Sequence, residues 1–180
     1  VLRLLAKVIH RLWESQDASL MIMPSSAPMY DGAVRSELTR YLPDVWEPII
    51  SLDVDGEHSL PLELDRASPN LGKVSACRRV ARTLYMGTAP GADHKNPGID
   101  DRRVRLGCVQ PGEQVAVFGD ALRRITDRAK YIHQDGNRYW ISTKANLNRL
   151  AEDRASTILR EPEVLHAEIL SRLQKDAKKR

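Results

Sequence analysis

A chain of 180 residues is long enough to bury a sizeable core, either in one domain or in two small ones. Its 42% apolar and 29% charged residues describe an ordinary soluble globular protein, and its formal charge of +4 permits an anionic partner without requiring one. The apolar start of the chain is interrupted by Lys7, His10 and Arg11 before it could span a bilayer, and no signal-peptide cleavage pattern follows. We therefore expect no membrane partner and a cytoplasmic location.

The two cysteines indicate a reducing environment. Cys77 and Cys108 lie far apart and neither belongs to a CxxC pair, so a structural zinc site is not expected and a reduced, cytosolic setting is the simplest account. A strong helix pattern begins at the first residue, which is not Met. This pattern predicts that the chain is a fragment of a longer protein.

Hydrophobic periodicity predicts helices separated by extended and irregular segments through the first hundred residues. In chain order, the predicted elements are an amphipathic helix over residues 1–14, a buried strand or extended segment over 19–24, a helix over 32–41, an extended segment over 46–54, an irregular connector over 53–70, a helix over 73–85 and a mobile surface loop over 88–101. Asp31 is the expected N-cap of the second helix, and Gly87 the expected stop of the third. Residues 102–109 alternate apolar and polar side chains, which predicts a short strand or turn.

The organising stretch of the chain is residues 118–148, where a helix pattern leads directly into a hairpin pattern. Apolar residues at i, i+3, i+4 and i+7 spacing predict the packed face of the helix, which consists of Phe118, Ala121, Leu122, Ile125 and Ala129. Residues 131–134 and 138–141 have the pattern of two strands, and Asp135-Gly136 between them favours a tight turn. A helix followed by such a hairpin is the back half of a winged helix-turn-helix. Two more helices and a frayed basic tail are predicted to follow.

Six basic residues flank this helix and hairpin. They are Arg123, Arg124 and Arg128 on the helix, and Lys130, Arg138 and Lys144 on or around the hairpin. This distribution is expected if the helix approaches a phosphate backbone and the hairpin clamps beside it, so all six are candidate DNA-binding residues. In the alternative interpretation they form a solvated or protein-docking face, because Asp120, Asp127 and Asp135 neutralise part of the charge. Trp140 also has two interpretations, since it would either stack on a base or pin the hairpin to its helix.

The motifs of the common catalytic sites do not occur in the sequence. A P-loop needs Gly-Lys followed by Ser or Thr, but Gly72-Lys73 is followed by Val74. Residues 53–56 begin like a calcium loop without its later oxygen ligands, the histidines lack metal-binding spacing, and no serine lies in a GxSxG elbow. We therefore expect no catalytic centre and no bound cofactor or metal within these residues.

Four segments carry a resemblance to a known family. They are Val1-Leu2-Arg3-Leu4-Leu5-Ala6, Asp53-Val54-Asp55-Gly56, Arg78-Arg79-Val80-Ala81-Arg82-Thr83, and Ala121-Leu122-Arg123-Arg124 followed by Tyr131 and Arg138-Tyr139-Trp140. They resemble the C-terminal part of large bacterial and archaeal AAA+-type ATPases that carry the domain of unknown function numbered 499. Such ATPases are often found in phage-defence and restriction-modification islands. The resemblance covers most of residues 1–160.

Three arginines of the third segment gain a possible role from this resemblance. On their own, Arg78, Arg79 and Arg82 are either helix-mounted guanidinium groups that read a phosphate or surface arginines of an amphipathic helix. The resemblance implies that one of Arg79 or Arg82 is a lid arginine that senses nucleotide phosphates. It also implies that ATP and magnesium bind the parent protein through motifs upstream of this chain.

The sequence therefore predicts a mainly helical α+β protein in four parts. The parts are the end of an ATPase module with a helical lid-like region (1–88), a flexible loop (89–101), a winged-helix domain with one β-hairpin (102–160), and a C-terminal helix with a basic tail (161–180). The predicted function is that of a non-catalytic fragment of an AAA+-type ATPase whose winged helix binds DNA through phosphate contacts. The alternative is a docking module that binds other subunits of the same defence complex without nucleic acid.

Overall fold

The computed structural model describes residues 1–89, 98–160 and 162–177. These residues are mainly helical and include one small antiparallel sheet, so the predicted mainly helical α+β class is confirmed. The chain divides into two compact units, Val1–Ala145 and Asn146–Arg180.

The elements have the following bounds. The first unit contains α1 (Leu2–Glu14), a 3₁₀ turn (Pro24–Ser26), α2 (Gly32–Thr39), α3 (Trp46–Ile49), a π-helical turn (Ile50–Val54), α4 (Leu60–Ala67), α5 (Pro69–Gly72), α6 (Ala76–Thr88), β1 (Ile99–Asp100), α7 (Asp101–Leu106), α8 (Val115–Arg128), β2 (Ile132–Asp135) and β3 (Arg138–Ile141). The second unit contains α9 (Leu147–Arg160) and α10 (Pro162–Ala177).

The sheet combines the predicted hairpin with a strand from an earlier part of the chain. Its order is β1-β3-β2, with both pairings antiparallel. The hairpin register places Ile132 opposite Ile141. Gly136 in the turn has a φ of 56°, a conformation that residues with a side chain rarely adopt. The outer edge of β3 is covered by β1, where Ile99 lies opposite Tyr139. The predicted hairpin is thus confirmed, and the sheet that contains it has one strand more than the sequence indicated.

Helix α6 lies at the centre of the first unit. It packs against α4, α8, β3 and the 3₁₀ turn. Its buried apolar residues are Ala76, Cys77, Val80, Ala81, Leu84 and Tyr85. The face predicted for α8, from Phe118 to Ala129, is also buried in full. Hydrophobic burial between these two helices therefore holds the hairpin and its helix on the rest of the unit.

Two predicted helices near the N-terminus are confirmed. Asp31 caps α2, because its Oδ1 accepts hydrogen bonds from the N–H groups of Ala33 at 3.0 Å and Val34 at 3.1 Å. Helix α1 is amphipathic as expected, yet much of its apolar side is exposed, including Leu2 and Trp13.

The predicted buried strand over residues 19–24 is wrong. Leu20, Met21 and Ile22 are exposed, and the segment forms bends before the 3₁₀ turn. The backbone of Met21 bonds to one side chain instead of a neighbouring strand, since Gln110 accepts from its N–H at 3.0 Å and donates to its carbonyl at 2.8 Å. A side-chain amide therefore replaces the ladder that a strand would need.

Residues 46–54, 60–67 and 69–72 are helical where the sequence predicted an extended segment and an irregular connector, whereas residues 55–58 form bends and turns. Trp46, Ile49, Ile50 and Val54 are buried at helical spacing through α3 and the π-helical turn. Helices α4 and α5 each begin with a proline in the first turn, where the missing N–H costs nothing. In this part of the chain, prolines lie in the first turns of helices, and Asp53, Asp55 and Asp65 are buried. Neither feature marks a surface loop here.

Two boundaries further along the chain also differ from the predictions. Residues 101–106 form α7 and not a strand, because Asp100 caps this helix by accepting the N–H of Arg103 at 3.0 Å. Helix α6 continues past Gly87 to Thr88. The predicted loop over residues 89–101 falls largely on residues 90–97, which lie outside the described residues. The predicted four-part division stays a prediction.

Candidate nucleic-acid interface

The base of the hairpin is fixed to the first half of the unit by a buried carboxylate. Asp53, in the π-helical turn, accepts a hydrogen bond from the N–H of Tyr131 at 2.7 Å and is 3% exposed. Burial raises the pKa of Asp53, and backbone N–H groups at Tyr131 and Lys130 offset this only in part. The segment that joins α8 to β2 is therefore attached to the π-helical turn by a buried hydrogen bond.

The two central arginines of α8 point to solvent and share one carboxylate. Arg123 lies 2.7 Å and Arg124 lies 2.8 Å from the two oxygens of Asp120, while the arginine side chains are 70% and 46% exposed. Hydrogen bonds from Arg123 and Arg124 hold the pKa of Asp120 below its ordinary value. Such exposed pairs contribute roughly 0–1 kcal/mol, so a phosphate can replace Asp120 at little cost.

The other predicted contacts extend along the connection and the hairpin. Arg128 is exposed in the last turn of α8, and Lys130 is exposed just before β2, where its charge lowers the pKa of Asp53 against the larger effect of burial. Arg138, on β3, donates from Nη2 to the carbonyl of Gly98 at 2.7 Å. Lys144 is exposed, and its backbone carbonyl accepts from His133 Nε2 at 2.8 Å. All six predicted residues thus belong to consecutive elements of one packed unit.

The aromatic residue of the hairpin packs inside the hairpin. Trp140 stacks on His133 across the two strands, with ring centroids 5.6 Å apart and an angle of 14° between the rings. Both residues are half-buried. This contact packs Trp140 against the paired strand. It tests neither the predicted base stacking nor the predicted contact with the helix, so both interpretations stay predictions.

Arg79, one of the two predicted nucleotide-sensing arginines, is held inside the unit. Its Nη1 lies 2.7 Å from Glu113, its Nη2 donates to the carbonyl of Cys108, and its guanidinium lies 4.9 Å from the ring centroid of Phe118. Although burial favours the neutral acid, hydrogen bonds from Arg79 and from a backbone N–H hold the pKa of Glu113 below its ordinary value. Arg79 therefore joins α6 to the turn before α8.

Arg82, the second predicted sensor, is engaged in the same way. Its Nη2 and Nε lie 2.9 Å and 3.0 Å from Asp55 Oδ2, and its side chain is 11% exposed. Asp55 is 2% exposed and also accepts the N–H of Tyr30 at 2.9 Å. Most donors of both arginines are thus occupied by their own chain, and a role in nucleotide sensing stays a prediction.

Comparisons with protein-family models, with curated proteins and with solved structures find no match. None of the described helices is long and apolar enough to cross a membrane. Over the described ranges, no group of three or more His, Cys, Asp and Glu side chains is placed to hold a metal ion.

The cavities of the first unit were not found by sequence reasoning, and two of them differ sharply in polarity. One is a polar cavity of about 370 Å³ beside the start of α6, lined by Ser25, Lys73, Ser75 and Arg78 among others. The other is an apolar groove of about 810 Å³ between α1, α2 and the end of α6. Both cavities are formed by segments that lie far apart in the sequence, so no local motif predicts them.

Proposed function

We propose that residues from α6 to β3 form a winged helix-turn-helix that binds duplex DNA, with α8 as the recognition helix and the hairpin as the wing. The observation that carries this proposal is the position of β1. In the chain, β1 lies between α6 and α7, so the order of elements is helix, strand, two helices and a hairpin. In the sheet, β1 pairs with β3, the second strand of that hairpin. This is the element order of a winged helix-turn-helix.

The charges on this unit support binding through phosphates more than through base edges. Residues 115–144, which comprise α8, the hairpin and the residues beside them, carry six cationic side chains and three carboxylates. The exposed first turn of α8 instead carries Val115 and Ala116, which offer no side-chain donor or acceptor to a base edge. We therefore expect affinity with little sequence preference.

Fluorescence anisotropy with a labelled duplex at two salt concentrations tests this function. If all six cations contact phosphates, affinity should fall about a thousandfold between 50 and 200 mM salt. The double variant Arg123→Gln/Arg124→Gln should weaken binding and reduce the slope of log affinity against log salt by about two. A salt-independent affinity, or no binding at the lower salt, would refute the proposal.

A matched control exists in the second unit. Arg172 is 76% exposed and pairs with Glu168 at 2.8 Å and i,i+4 spacing, as Arg124 does with Asp120. Arg172→Gln removes one exposed charge and the same kind of ion pair on α10, which is not part of the proposed interface, so it matches the single variant Arg124→Gln. It should leave DNA affinity unchanged within about twofold.

The second candidate function is protein docking by the same surface. It is favoured by Asp120, which neutralises two arginines at once and leaves a mixed-charge face suited to a partner protein. In this case the charge reversal Arg123→Glu/Arg124→Glu leaves DNA behaviour unchanged and disrupts assembly with the partner subunit in a pull-down. The two functions therefore predict opposite effects on DNA binding when Arg123 and Arg124 are replaced, since only the DNA proposal expects a loss.

We also propose, from the family resemblance alone, that the chain is the non-catalytic C-terminal part of a cytoplasmic, defence-associated AAA+-type ATPase. The parent protein would bind ATP and magnesium through residues outside this chain. Reading the parent gene tests this directly, because a P-loop must lie upstream of Val1. A parent protein without that motif would rule the ATPase assignment out.

A further inference from the structure

The polar cavity beside α6 contains cationic and hydroxyl groups whose hydrogen-bonding capacity is incompletely used. Lys73 is exposed at the cavity, and its ammonium makes no ion pair or hydrogen bond with any described residue. Ser25 is fully buried and also lines the cavity, yet its Oγ has no hydrogen-bond partner within the described residues. A buried hydroxyl without a partner costs about 1–3 kcal/mol, so this group favours occupation by a ligand with acceptor atoms.

A guanidinium group is held in place at the same cavity. Arg78 Nη2 donates to Ser75 Oγ at 2.9 Å, and its Nε lies 3.7 Å from Asp65. Asp65 is 4% exposed and also accepts the backbone N–H groups of Cys77 and Arg78, so it is fixed by the start of α6. Arg78 is therefore oriented in advance, which lowers the entropy lost on ligand binding.

The remaining charges at the cavity are largely compensated. Arg79 and Arg82 also line it, but Glu113 and Asp55 neutralise them. Asp17 is a lining carboxylate, and its Oδ1 accepts the N–H of Ser19 at 2.9 Å. Arg78 is paired with Asp65 in turn, so Lys73 is the lining cation whose charge is not compensated by a carboxylate of the described residues.

We propose that this cavity binds a phosphate group, as free phosphate or as a small phosphate ester. The ammonium of Lys73, the guanidinium of Arg78 and the hydroxyls of Ser25 and Ser75 supply donors from separate segments, as a tetrahedral oxyanion with several acceptor oxygens requires. Its volume of about 370 Å³ is within the range of small-ligand sites. The backbone N–H groups of the helix end do not take part, because Asp65 already occupies two of them.

This site is distinct from the proposed DNA surface, although Arg79 and Arg82 form part of its wall. It involves neither the basic residues of α8 nor those of the hairpin. A failure of DNA binding would therefore leave the phosphate site untouched, and the reverse also holds.

Isothermal titration calorimetry on the full chain, at constant ionic strength, tests the proposal with inorganic phosphate and with adenosine monophosphate. Lys73→Met should weaken binding at least about tenfold, because it removes a charge-assisted hydrogen bond. Because Lys73 is exposed, this variant should keep the fold. Arg172→Gln removes a similarly exposed charge on α10 and should bind phosphate as the unmodified protein does. Arg78→Gln is the second variant, and circular dichroism checks that it folds.

The outcomes are separable. Phosphate binding that is lost in Lys73→Met and kept in Arg172→Gln supports free phosphate as the ligand. The same pattern with adenosine monophosphate alone identifies a phosphate ester as the ligand. Absence of binding for both probes, or binding that neither Lys73→Met nor Arg78→Gln changes, overturns the proposal.

Discussion

Replacing Arg82 with methionine should destabilise the first unit more than any surface charge change. The substitution keeps a long apolar stem but removes the hydrogen bond from Nε to Asp55 at 3.0 Å and the ion-pair contact of Nη2 at 2.9 Å. Asp55 would then remain 2% exposed with its charge, supported by the N–H of Tyr30. Removing one partner of a buried ion pair costs about 3–5 kcal/mol, because the other charge is left without compensation.

The expected loss is a large share of the total stability. Domains unfold with a free energy of about 5–15 kcal/mol, so Arg82→Met should remove about a third of it. At about 2–4 °C per kcal/mol for a unit of this size, the melting temperature should fall by about 10 °C. Arg124→Gln, which breaks an exposed pair, should cost at most about 1 kcal/mol.

Urea unfolding followed by tryptophan fluorescence measures this difference. Trp13, Trp46 and Trp140 all lie in the first unit, and Trp46 is 2% exposed, so the signal reports that unit alone. The double variant Asp55→Asn/Arg82→Met should be more stable than the sum of the single effects predicts, because no isolated charge remains. If Arg82→Met costs no more than Arg124→Gln, the reasoning about the buried pair is wrong.

Two further predictions concern a close contact and a titration. Gly56→Ala should cost about 1–3 kcal/mol in urea unfolding, because the new Cβ would lie 2.3 Å from the carbonyl oxygen of Ser51. Gly32→Ala, at a position with no atom within 4 Å, should be neutral or stabilising, and equal losses at both sites would contradict the contact argument. Glu37 has a lowered pKa, chiefly because Lys7 donates to it, so its contribution is complete above the ordinary pKa of 4.5 and is lost as the pH falls through the lowered pKa. Glu37→Gln should therefore be more destabilising at pH 7 than at pH 3, and the same cost at both would refute this.

The sequence was informative where structure depends on neighbours along the chain. The helical period of Phe118, Leu122 and Ile125 and the turn at Gly136 identified α8 and the hairpin, because both signals are contained within a few residues. The cap at Asp31 is local in the same sense. The same helical period predicted that the arginines of α8 are exposed, because they lie outside its apolar face.

The sequence misled where acidic residues are satisfied by distant partners. Asp53 bonds to a backbone group 78 residues away, and Asp55 pairs with Arg82 across 27 residues. An acid-rich segment with prolines has the composition of a surface loop, yet tertiary partners make these carboxylates buried structural groups. The cavity with Lys73 and Ser25 was missed for the same reason, because its walls meet only in the folded chain.

The placement of β1 governs how the protein can be shortened for study. A piece that begins at residue 102 would lack β1 and leave one side of β3 without its backbone partner. Unprotected strand edges recruit other chains, so such a piece is prone to aggregate. Since Asp53 also anchors Tyr131, an expression boundary suited to the hairpin has to lie upstream of Asp53.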